Sequence, residues 1–119
     1  MTELSVSDGN LNLEVKGWDK LWALRSHLSI PLADVVRIYA DPEIGQGWWK
    51  GLRVGGTNIP GMLAAGTFYH HGQWVFWDVH NPDNAVVIEL RHEHYAKLIV
   101  EVERPAATVA ALQEQLARN

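Results

Sequence analysis

The sequence predicts a mainly β domain of about seven short strands closed by one C-terminal helix, and three observations carry that prediction. Apolar and polar residues alternate with a period of two through most of the chain, as strands require when successive side chains point to opposite faces. Glycine and proline crowd the centre: Gly45, Gly47, Gly51, Gly55, Gly56, Pro60 and Gly61 demand loops and bends. Near the C-terminus, Val109, Leu112 and Leu116 recur at helical spacing opposite Gln113, Glu114 and Arg118.

Taken in order, Leu4 and Val6 alternate with polar neighbours, Ser7-Asp8-Gly9-Asn10 supplies turn residues, and Leu11, Leu13 and Val15 resume the alternation, which makes a hairpin. Residues 18–25 place Trp18, Leu21, Trp22 and Arg25 at helical spacing and suggest one or two helical turns, with a strand as the alternative. Val35–Ala40 is β-branched and ends at Asp41-Pro42-Glu43. After the glycine-rich centre come four more strands: 63–70, a turn at His71-Gly72, 73–79, a turn through 81–84, 85–91, a turn at 92–94, and 96–103. They read as a four-strand meander. Val86, Ile88 and Leu90 share one face, as do Leu98, Val100 and Val102, so one face is expected buried and the other largely wet. Pro105 then ends the last strand and fits the first turn of a helix, where its missing N–H costs nothing.

The 119 residues suit a single domain spanning 1–119, with 47% hydrophobic and 20% charged residues in ordinary globular balance. No cysteine is present, which removes disulfides, thiolate metal sites and cysteine nucleophiles. A net charge of -4, with only ten Lys and Arg spread through the chain, argues against nucleic acid as a partner. The uncharged run 54–77 has the length of a membrane span, but its five glycines, Pro60, Asn58, Gln73 and two histidines make it strands and turns. With no basic and apolar leader at the start, the sequence reads as cytoplasmic.

These elements carry a likeness in the stretches Ile30-Pro31-Leu32-Ala33-Asp34-Val35, Gly56-Thr57-Asn58-Ile59-Pro60-Gly61, Ala65-Gly66-Thr67-Phe68, Phe76-Trp77-Asp78-Val79 and Thr108-Val109-Ala110. Over roughly residues 30 to 112 the chain resembles small uncharacterised bacterial proteins of the pleckstrin-homology-like fold. The resemblance implies a two-sheet, strongly bent barrel of about seven strands, plugged at one end by its C-terminal helix. The stretches are packing and turn motifs, so the likeness speaks to fold before function. Pleckstrin-homology domains are best known for gripping phosphoinositides with bases from the first hairpin loop. Here that loop holds Asp8 and no base, so no phosphoinositide is expected.

Chemistry finds little foothold. Of six histidines, His92 and His94 with His80 form a weak candidate set for zinc, but two of them fall in a turn where strand alternation lapses, and solvated turn histidines are the simpler reading. Asp78 and Glu89 lie in otherwise apolar strands, and Asp78 could pair with His80. The simpler reading places Asp78 facing outward near a hairpin end, accepting hydrogen bonds from turn backbone. No serine lies in a nucleophile turn, and neither Gly45-Gln46-Gly47 nor Gly55-Gly56 has a phosphate loop's spacing or its lysine. No catalytic residue, no enzyme activity and no cofactor is therefore expected.

Six tryptophans fall in pairs, Trp18 with Trp22, Trp48 with Trp49, and Trp74 with Trp77. Alternation puts Trp74 and Trp77 on opposite faces of one strand, so at most one is core. Phe68, Phe76, Tyr39 and Tyr69 are the expected core aromatics. Trp48 and Trp49, beside Lys50 and Arg53 in the glycine-rich loop, are the candidate interaction residues, since two adjacent indoles do not easily both pack inward. The function read from this is a non-catalytic protein-interaction or self-association module. The alternative is a small-ligand or metal-binding β-barrel using His and Trp side chains.

Overall fold

The computed structural model describes residues 2–15, 27–42, 65–70, 72–79 and 81–118, and two sheets and a helix account for most of them. The first sheet is an antiparallel meander of β1 (Thr2–Ser7), β2 (Asn10–Val15) and β3 (His27–Pro31). Its first turn requires positive φ at both central residues, Asp8 at 53° and Gly9 at 77°, the pair of left-handed conformations that suits a two-residue hairpin. β3 has only Leu28 and Ile30 as its apolar alternation, too short a run to stand out in the sequence, yet Ile30 pairs with Leu11 and completes the sheet.

A single 3₁₀ turn (Leu32–Asp34) leads into the second sheet, built from β4 (Val35–Ala40), β5 (Ala65–His70), β6 (Gln73–Asp78), β7 (Ala85–Leu90) and β8 (Tyr95–Glu101). Its order is β4-β7-β8-β6-β5. This corrects the expected four-strand meander. β8 returns from β7 by the hairpin at 91–94 and enters the place beside β6, with which it runs parallel. Asn81–Asn84 makes the preceding turn as its composition foretold: the Asn81 side chain accepts from the Asp83 N–H at 3.1 Å.

The inner faces of the two sheets meet over one apolar cluster. Leu11, Leu13 and Ile30 come from the first sheet, and Phe76, Ile88 and Leu98 from the second. Each such side chain taken from water contributes about 1.5–3 kcal/mol. The outer face of the second sheet was expected to be wet and is not. Val75, Trp77, Val87 and Ile99 are buried there in a second cluster, joined by Val79 just beyond β6 and with Tyr39 packed at its margin. A strand inserted between two others must be apolar on both sides, and Leu98-Ile99-Val100 is.

Helix α1 (Pro105–Arg118) closes the structure along β4. Val109 and Leu112 are buried in the inner cluster and Leu116 packs half-buried against it, as the stripe predicts. The Gln113 amide donates to the Ile38 carbonyl at 2.9 Å, so the helix also satisfies backbone at this edge of the sheet. Mainly β with two sheets and a C-terminal helix is thus the observed architecture. Among the described residues the two sheets do not join into the expected bent barrel. No helix among the described residues is long and apolar enough to cross a membrane.

Candidate functional site

Trp48, Trp49, Lys50 and Arg53 lie outside the described residues, as do Trp18, Trp22 and His80. The sites that can be built are therefore those on the two sheets and the helix. Among the described residues, the most exposed aromatic surface lies at the start of β6. Trp74, 40% exposed, stacks on the exposed ring of His94 at 5.5 Å between centroids and 22° between planes. His94 meets Tyr95 edge-on at 4.9 Å, and Tyr95 meets Phe76 edge-on at 5.6 Å. This run of rings links a surface indole to a fully buried phenyl, and offset or edge-on ring contacts of this kind hold aromatic geometry. Trp74 and Trp77 do occupy opposite faces, with Trp77 only 2% exposed. Phe76 is core as expected and Tyr39 is half-buried. Tyr95 was missed because it opens its strand directly after a polar turn.

His92 and His94 belong to the 91–94 turn, His92 in the left-handed region at φ 57°. His94 spends its ring on Trp74 and Tyr95. Among the described residues, no three His, Asp or Glu side chains come together as a metal set.

Asp78 and Glu89 do not converge. Asp78 sits on the inner face opposite Val100, Glu89 on the outer face opposite Lys97, and β8 runs between their strands. Three positions along β8 separate the two rows, roughly 10 Å at strand rise. Two carboxyls on opposite faces cannot share a substrate. The expected outward Asp78 is also overturned: it is fully buried, and the Thr2 hydroxyl of β1 donates to it. This pair ties the N-terminal strand to the second sheet. Beside it lies a cleft of about 460 Å³ between β1 and the start of α1, lined by Thr2, Leu4, Val102, Glu103, Arg104 and Thr108, together with Glu3.

Glu89 has a different setting. It accepts from Arg37 Nε at 2.9 Å and from the Tyr39 hydroxyl at 3.0 Å, with the Arg37 guanidinium 5.8 Å above the Tyr39 ring. Burial on its own would raise the Glu89 carboxyl, but the hydrogen bonds from Arg37 and Tyr39 and the charges of Arg37 and Lys97 prevail and hold it below the ordinary value. Burial, reinforced by the bond to Glu89, pushes the Tyr39 phenol up to about 12. Glu101, also buried, accepts from the Asn81 N–H at 2.9 Å and braces a turn. In the 91–94 turn, Glu93 is raised by its hydrogen bond to Asp34 and then by burial and that neighbour's charge. Asp78, Glu89 and Glu101, the acids of β6, β7 and β8, are thus engaged in holding strands or turns together.

Comparison of the chain with protein-family models, with curated proteins and with solved structures gives no match, and none of the three identifies a family.

Proposed function

We propose that the protein is a non-catalytic module that binds another protein chain, most simply a second copy of itself. The observation that carries this reading is the Trp74–His94 stack, an indole left 40% exposed on an exposed imidazole that leads through Tyr95 to the buried Phe76. Leaving a large apolar ring in water forgoes roughly 25 cal/mol for each square ångström, and tryptophan is enriched where protein surfaces meet. The dispersal of Asp78 and Glu89 to opposite faces supports a role without acid–base chemistry. The acidic balance and the base-free first hairpin support a partner that is neither nucleic acid nor phosphoinositide. The resemblance of residues 30–112 to pleckstrin-homology-like proteins and a cytoplasmic location belong to the same reading, with two sheets and a terminal helix in its favour.

Trp48 and Trp49, with Lys50 and Arg53 beside them, are the second contact in this proposal. The test is light scattering of the wild type against Trp74→Ala and against Trp48→Ser/Trp49→Ser. An assembly that dissociates in either variant supports the reading, and a wild type that is monomeric at high concentration removes self-association.

A further inference from the structure

We infer that two copies of the chain pair antiparallel through β5, joining their five-stranded sheets into one continuous sheet. This deepens the interaction reading, on which it rests, by naming the surface and the occupant. A strand at a sheet edge presents unpaired N–H and C=O groups, and natural proteins protect such edges with charge, proline or a covering element. The edges described here differ in that protection. At β4 the helix lies against the strand and Gln113 donates to the Ile38 carbonyl. β1 carries Glu3, and β3 ends on Pro31, which has no N–H to donate. β5 holds the far edge of the second sheet and, among the described residues, pairs with β6 alone.

The sequence of β5, Ala-Gly-Thr-Phe-Tyr-His, contains no Asp, Glu, Lys, Arg or Pro. That absence of charge selects a second copy as the occupant. An antiparallel self-pair sets a strand against its own sequence, so any charge near its middle meets its like across the ladder, and like charges opposite one another destabilise. In β1 the acid at Glu3 would enter such a pair, whereas β5 meets no like charge in any register. Thr, Phe and Tyr in succession favour the pleated conformation. The exposed Trp74 lies on the adjacent strand in register with Tyr69, so the aromatic surface and this edge are continuous.

Two measurements test this. In the wild type, backbone hydrogen exchange across β5 is expected to slow as protein concentration rises, in step with the mass from light scattering. Thr67→Lys and Thr67→Glu, each alone, are expected to fall from twice the chain mass to the chain mass, and an equimolar mixture to return to twice. The recovery shows that both variants are folded. A wild-type dimer whose β5 exchange is independent of concentration would overturn the β5 pairing while leaving the interaction reading in place. β5 amides protected equally at every dilution would do the same, by showing this edge already covered. A wild type monomeric throughout would overturn the β5 pairing together with the self-association part of that reading.

Discussion

Asp78 and Glu89 look alike in the sequence, each a lone carboxylate in a strand of apolar residues, yet they occupy opposite kinds of site. Asp78 is sealed between the sheets with a neutral hydroxyl from Thr2. Glu89 stands at the margin of the outer cluster with a guanidinium, a phenol and a nearby ammonium. Alternation assigns a residue to a face, and the difference arises from which face each strand turns to which layer. The lesson is that the chemistry of an acid in a strand depends on strand order, which the residue's own neighbours do not encode.

The comparison can be broken from both sides at once through α1, the element that touches β1, carrier of Thr2, and β4, carrier of Arg37 and Tyr39. Leu112→Ala empties part of the inner cluster beneath the helix and is expected to cost about 2–4 kcal/mol, read as a lower urea midpoint. An unchanged midpoint would mean that the helix is not docked. Next in size, Thr2→Val removes the hydroxyl from a fully buried carboxylate and is expected to cost about 1–3 kcal/mol. Tyr39→Phe takes one donor from Glu89 but leaves Arg37 in place, and about 1 kcal/mol is expected. If Tyr39→Phe proves more damaging than Thr2→Val, the contrast between the buried and the marginal acid is wrong.

The smallest effects are read against pH. The Glu89 carboxyl is depressed in the folded chain, so its stabilisation is present above the unfolded value and lost as pH falls through the folded one. Glu93 is raised, so its contribution is present below the unfolded value and lost as pH rises through the folded one. Urea midpoints measured from about pH 3 to pH 7 should therefore fall less steeply in acid for Glu89→Gln, and should gain more toward neutrality for Glu93→Gln. Parallel curves for the two variants would refute the opposite signs.

Much of the fold was legible because alternation is a local property. The β1–β2 hairpin, the shared face of Val86, Ile88 and Leu90, the division of Trp74 from Trp77 and the helix stripe all follow from neighbours within a few residues. What was illegible depends on distant parts of the chain. The entry of β8 beside β6, and hence the burial of Ile99 and Val87, requires pairing that no period expresses. The burial of Asp78 required Thr2, 76 residues away, though a signal existed: an acid set directly between Trp77 and Val79 in an apolar run is costly unless something answers it. The candidate site was legible only as surplus tryptophan. Which ring would face water depended on the run from Trp74 through His94 and Tyr95 to Phe76, residues that lie on two strands and the 91–94 turn.

The parallel pairing of β6 with β8 also sets a constraint on folding. The β7–β8 hairpin closes across the four residues of the 91–94 turn, whereas joining Trp74 to Tyr95 encloses the whole of β7. β8 can take its place beside β6 only while β7 is not itself paired there. An early contact between β6 and β7 as direct neighbours would fill that place and would have to dissolve before the native sheet could form. The same topology that buries β8 on both sides therefore makes the nearest-neighbour pairing of β6 and β7 a trap.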